Sequence, residues 1–161
     1  MAANYLLKVQ DIDGESQIKG HENEIELQSF SWGGTQLGTW HEGGGGGGGK
    51  ANVGDMSFAK LMDKASATLF QRCLIGKHIP EAKLFCLRVS GDAPIVYLEI
   101  TMKKVIVSSV SWSGGGSSEL PTEMIGFNFA QVEWEWKVQE ESGVAGAGNK
   151  KTWDVPKNAE S

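Results

Sequence analysis

MIGFNFAQVEWEWKV, residues 124–138, is the stretch on which the fold class turns. Ile125, Phe127 and Phe129 share one parity. Val132, Trp134, Trp136 and Val138 share the other, opposite Glu133, Glu135 and Lys137. A period of two sustained over this length marks a half-buried strand, because a helix would place its apolar residues three and four apart. The change of parity near Ala130 and Gln131 implies a bulge, or burial that passes from one face to the other.

The same alternation recurs on either side. In Ile95–Trp112, Val96, Leu98, Ile100 and Met102 alternate with Tyr97, Glu99, Thr101 and Lys103, and Val105–Val107 then breaks the pattern. Ala82–Val89, Tyr5–Ile12, Asn23–Trp32 and Val53–Leu61 read as further strands, and Thr152–Val155 as a last edge strand. Within Asn23–Trp32 the apolar set again changes parity, from Ile25 and Leu27 to Phe30 and Trp32. A helix is expected over Ser66–Ile75. Ser66 would be its N-cap, Leu69, Phe70, Cys73 and Leu74 its buried face, and Gly76 and Pro80 its stop. The runs Gly43–Gly49 and Gly114–Gly116 read as loops, since uninterrupted glycine supports neither helix nor strand. Gly143–Gly148 reads as a flexible linker. About seven strands and one helix predict a mainly β fold, a two-sheet antiparallel barrel or sandwich with one flanking α-helix. One helix covers only one side, yet several strands are apolar on both parities. Part of that surface is expected to meet another subunit, or else a second packed sheet.

The chain has 161 residues, enough for one domain, 1–161, with a core that needs no staples. Fifteen Lys and Arg against twenty Asp and Glu give a net charge of −5. That balance argues against non-specific binding to nucleic acid or anionic lipid. The opening Met1–Lys8 has neither a basic region nor a long apolar one, so no standard secretory leader is expected. No apolar run reaches the length of a membrane span, so no stable membrane insertion is expected. Cys73 and Cys86 form no motif and are expected as reduced, partly buried thiols.

Motifs that resemble chemical sites fail on inspection. Gly44–Gly49 followed by Lys50 mimics a phosphate-binding loop. Ala51 stands where a Ser or Thr must hold magnesium, however, and Ala51–Gly54 is poor helix sequence. His21-Glu22 and His41-Glu42 begin like a zinc motif, but Ile25 and Gly45 replace the second histidine. His78 stands alone beside Pro80, and no Gly-x-Ser-x-Gly elbow is present. No catalytic residue, cofactor or metal site is expected. Trp134 and Trp136 read first as core or subunit-interface anchors and second as a carbohydrate-stacking face.

Taken in order, certain residues make a larger pattern. They are Gly14-Glu15-Ser16, Ser31-Trp32-Gly33, the block His41–Asp63, Gly76-Lys77-His78, Pro80, Ala82-Lys83-Leu84, Tyr97–Ser111 and Asn128–Val132. In this combination the chain resembles the haemolysin-coregulated protein (Hcp) family of bacterial type VI secretion systems, relatives of phage tail-tube proteins. The resemblance spans roughly residues 5–138, and the tail 139–161 carries it less sharply.

The resemblance implies a two-sheet β-barrel with one helix and no enzymatic activity. It implies a homo-hexameric ring that stacks into a hollow tube, enclosed by contractile sheath proteins and capped by a VgrG spike. The tube would be expelled on contraction with secreted effectors in its lumen. The protein would start in the cytoplasm and reach the extracellular space or a target cell without a cleaved signal peptide. No fused toxin domain is expected. The segment containing His41, Gly43, Gly44, Gly45, Gly46, Gly47, Gly48, Gly49, Lys50, Asn52 and Asp55 looks like the family's long loop between neighbouring subunits and rings. The stretch containing Ser108, Ser109, Ser111, Ser113 and Ser117 looks like a region beside the lumen. Glu99, Thr101, Lys103, Glu133, Glu135 and Lys137 would face either the lumen or the sheath. The competing expectation is a β-sandwich that binds a glycan or small ligand through Trp112, Trp134 or Trp136.

Overall fold

The computed structural model describes residues 3–38, 48–90, 93–117, 119–139 and 145–161. The strands are β1 (Ala3–Val9), β2 (Ile25–Leu27), β3 (Ser29–Ser31), β4 (Gly34–Gly38), β5 (Gly48–Val53) and β6 (Met56–Leu61). After helix α1 (Ser66–Ile75) come β7 (Ile79–Ser90), β8 (Ala93–Ser113), β9 (Thr122–Gln139) and β10 (Ala145–Asp154). The order β2-β1-β7-β8-β9-β6-β3 makes one antiparallel sheet, and β10 pairs with the second half of β9. β4 and β5 form a separate two-stranded sheet.

The two ends of the large sheet belong to one short piece of chain. β2 pairs with β1 and β3 pairs with β6, and only Gln28 separates β2 from β3. The sheet must therefore curl until its ends meet, and it forms a nearly closed barrel. The Gln28 N–H donates to the Ala59 carbonyl at 2.8 Å, carrying the seam across. The parity change within Asn23–Trp32 is this crossing, so the expected single strand is two strands on different neighbours.

Phe58 and Phe127 meet edge to face at 5.1 Å inside the barrel, with Leu7, Ile25, Leu84 and Met102 around them. On β8 the buried apolar residues run Ile100, Met102, then Val105, Val107. On β9 they run Ile125, Phe127, Phe129, then Val132. One residue too many intervenes on each strand, between the Lys103–Gln131 and Val105–Phe129 pairs. Because both strands carry the extra residue, their register survives. Lys104 there adopts φ 55°. All these side chains belong to one core, so the parity change at Ala130–Gln131 is one extra residue on each of two paired strands, without the register shift of a bulge and without a change of face.

Helix α1 has the expected bounds but a different N-terminus. Ala65 is the N-cap, with no side-chain cap bond, and Ser66 is the first helical residue. The Ser66 hydroxyl is held by buried charged groups instead of capping the helix. Leu69 is buried and Phe70 and Cys73 are half-buried, but Leu74 is exposed at the far end of the expected apolar face. Gly76 ends the helix in the left-handed region at φ 64°.

Other boundaries also move. β1 stops at Val9, and Ile12 returns only as an isolated bridge to it. Val53–Leu61 is the end of β5 and all of β6. Gly48 and Gly49 open a strand, because pairing to β4 compensates for glycine's poor intrinsic preference; Gly43–Gly47 lie outside the described residues. In the expected linker, residues 145–148 begin β10, and 143–144 lie outside the described residues.

Candidate functional site

β4 and β5 form an arm that leaves the barrel after Trp32 and returns at Gly54. All five residues of β4 are exposed, and Leu37 is 74% exposed. Lys50 and Asn52 are exposed on β5, whereas His41 and Gly43–Gly47 lie outside the described residues. The arm is fastened at its root. The Trp32 indole N–H donates to the Gly54 carbonyl at 3.0 Å, and the Gly54 N–H donates to Gly33 at 2.9 Å. Asp55 accepts from the Ser108 hydroxyl and the Asn128 amide, each at 2.8 Å. The two candidate regions therefore touch, because Asp55 of the loop set and Ser108 of the serine set are hydrogen-bonded. A cleft of about 390 Å³ opens between the arm's root and the barrel, lined by Trp32, Val53, Val132, Trp134 and Trp153 among others.

Pairing register sorts the outer wall of the barrel into two chemistries. Across β3, β6, β9 and β8 the outward rows are Ser31–Ser57–Gly126–Ser109, Ser29–Ala59–Met124–Ser111 and Leu61–Thr122–Ser113. None of these side chains is charged. Ser108 is the extra residue where the β8–β9 register shifts between Val107 and Ser109. Gly126 makes room there, since a Cβ on it would meet the Ser109 Oγ at 2.5 Å and the Ser108 Oγ at 2.9 Å. Ser117 lies beyond this wall in an exposed turn.

Across β7, β8, β9 and β10 the outward rows are instead Glu81–Lys103–Gln131–Asp154, Lys83–Thr101–Glu133–Thr152 and Phe85–Glu99–Glu135–Lys150. Lys83–Glu99 at 3.5 Å, Lys137–Glu135 at 3.4 Å and Lys150–Glu133 at 3.1 Å lace this surface. The polar positions that parity alone left unassigned therefore sit together on a charged wall, apart from the serine wall.

One polar cluster was missed from the sequence. Lys60 is fully buried, and its ammonium meets Glu123 at 2.6 Å, Asp63 at 2.9 Å and the Ser66 hydroxyl at 3.0 Å. The second Glu123 oxygen accepts the Trp112 indole N–H, and Trp112 rests on Phe70 of α1 at 4.7 Å. The cluster ties the helix to the barrel wall. A hint existed in the sequence: Lys60 and Glu123 each fall at an apolar parity of their strands.

The remaining candidates are separate. His21 contacts Glu24 at 2.8 Å and packs on Phe85, and burial holds the Glu24 carboxyl above the usual carboxylate range. His78 is exposed, and Cys73 and Cys86 are both free thiols. Trp112 lies by the helix, Trp134 packs on Trp32 at 5.7 Å, and Trp136 meets Tyr97 at 5.5 Å. Trp134 and Trp136 pair with Ile100 and Leu98 on one face of the β8–β9 ladder, whereas Trp112 pairs with Glu123 at its other end. Among the described residues, no group of three or more His, Cys, Asp and Glu side chains is placed to hold a metal ion. Among them, too, no helix is long and apolar enough to cross a membrane.

Comparison with known proteins agrees with this architecture. The family model described as "Type VI secretion system effector, Hcp" matches residues 6–136. Protein hcp1 of Pseudomonas aeruginosa is 42% identical over 161 residues, covering 99% of each chain. A solved structure of a type six secretion system protein superposes with a TM-score of 0.93 at 31% identity, covering 99% of this chain and 100% of that one. Hcp1 from Salmonella typhimurium superposes with a TM-score of 0.83 at 36% identity over 100% of both chains.

Proposed function

From the premise that this chain belongs to the Hcp family of type VI secretion proteins, we propose that six copies close into a ring and that rings stack into a secretion tube. The tube is surrounded by contractile sheath proteins, is capped by a VgrG spike and carries effectors in its lumen. The observation that carries this assembly is the β4–β5 arm. A two-stranded sheet with one strand exposed throughout and the other exposed at alternate residues is marginal in water on its own. Burial against a neighbouring copy supplies what it lacks.

The chemistry of the two walls supports a reading of their directions. The serine wall, with its short uncharged side chains, faces the lumen. It offers hydroxyl hydrogen bonds and the apolar surfaces of Met124 and Leu61 to a passing protein without fixed charges that would hold it. The ion-paired wall stays hydrated and faces outward. Ser109, Ser111 and Ser113 are thus lumen residues, Ser108 is the joint to the arm, and Lys50, Asn52 and Asp55 belong to the stacking element.

Two variants test this assignment. Ser111→Arg should leave rings intact in electron micrographs while effector co-purification falls at least tenfold. Lys50→Glu should leave rings intact but lower the fraction stacked into tubes. A Ser111→Arg ring that retains its effector would refute the lumen assignment, and undiminished stacking of Lys50→Glu would refute the role of the arm.

A further inference from the structure

The arm's direction is not set by packing alone, because the apolar cleft lies between its root and the barrel. It must be held from elsewhere. β5 has no second strand neighbour among the described residues, yet the Ala51 N–H is not free. It donates to the Asn158 side-chain oxygen at 3.1 Å, across 107 positions of sequence. We infer that Asn158 is a positioning residue, a latch by which the C-terminal turn fixes the arm in the pose used for stacking. The inference rests on the stacking role proposed for the arm.

The turn that carries Asn158 is built to be stiff. Asp154 and Ala159 exchange backbone hydrogen bonds, N–H to carbonyl at 2.8 Å and 3.3 Å, which close the turn. The buried Asp154 carboxylate accepts from the Lys157 N–H at 2.9 Å and from the Gln131 amide at 3.1 Å. The Val155 N–H donates to the Ala130 carbonyl at 2.8 Å, fastening the turn to the middle of β9. Asn158 itself stands at φ 51°, in the left-handed region that asparagine tolerates better than most residues. Its side chain is thus presented by a braced backbone, while its partner Ala51 lies opposite Gln36 in the middle of the arm's ladder.

The test compares Asn158→Gly with Asn158→Asp in the full chain. Glycine keeps the left-handed backbone without strain and removes only the side-chain acceptor. Aspartate restores an acceptor of the same reach. Amide hydrogen exchange at Ala51 should run roughly fivefold faster in Asn158→Gly, as expected for loss of one hydrogen bond, and return toward the parent rate in Asn158→Asp. Ring stacking should fall and recover in parallel, with the melting temperature of the barrel unchanged. Unaltered Ala51 exchange in Asn158→Gly would overturn the latch. Faster exchange with normal stacking would overturn its role in stacking. Lys50→Glu, run alongside, separates this from failure of the arm itself: if that variant also stacks normally, the stacking role of the arm falls too.

Discussion

Lys60 and Glu123 show what a strand's parity reveals and what it conceals. Each falls where an apolar residue is expected, and each is fully buried because the other is there. Removing one partner strands the other charge in the interior. Lys60→Met should therefore cost about 3–5 kcal/mol in urea unfolding, and adding Glu123→Gln should recover most of that loss. Cys86 is the second buried group with a measurable consequence. Burial pushes its thiol from 9.0 up to about 11, against a smaller opposing hydrogen bond from Tyr97. The folded state therefore keeps a proton that the unfolded chain gives up. The resulting stability is present below pH 9.0 and is lost as pH rises through about 11. Cys86→Ala should flatten the decline in unfolding free energy across that window. In the native protein, iodoacetamide should modify the half-buried Cys73 well before Cys86.

The elements were the most legible level, and their boundaries show where legibility stops. The helix over Ser66–Ile75 has the expected bounds because apolar spacing, a glycine stop and strand-like flanks all agree there. The N-cap is Ala65 and not the expected Ser66: a serine before an apolar run suits a cap, and nothing local reveals a buried lysine competing for its hydroxyl. Gly48–Gly49 and residues 145–148 join strands through partners that glycine-poor propensity cannot foresee. Gly14 is an opposite case, a glycine whose necessity is tertiary. A Cβ on it would meet the Glu24 carbonyl oxygen at 2.5 Å and the Ile25 Cα at 2.6 Å, both backbone. Gly14→Ala should therefore destabilise by roughly 1–3 kcal/mol. Gly115→Ala, in open space, should change stability by less than about 0.5 kcal/mol. Thermal unfolding of the two variants checks the contrast.

At the scale of the whole molecule, the barrel separates a charged wall from a serine wall, and salt should distinguish them. On the proposed lumen assignment, cargo on the serine wall makes no ion pairs with it, so effector retention by the proposed ring should be nearly constant between about 0.1 and 1 M NaCl. A steep loss across that range would place cargo on the charged wall instead. The sequence by itself determined the β class, the helix, the parity breaks and, through the ordered residues from Gly14 to Val132, the family. Those properties are local, or are carried by residue identity. Only the tertiary structure decided that Gln28 joins opposite ends of one sheet, that Lys60 meets Glu123 and that Asn158 reaches Ala51. It also decided which alternating residues share a wall. Periodicity records that one side of a strand is buried, but the partner lying across from it is chosen by closure of the whole chain.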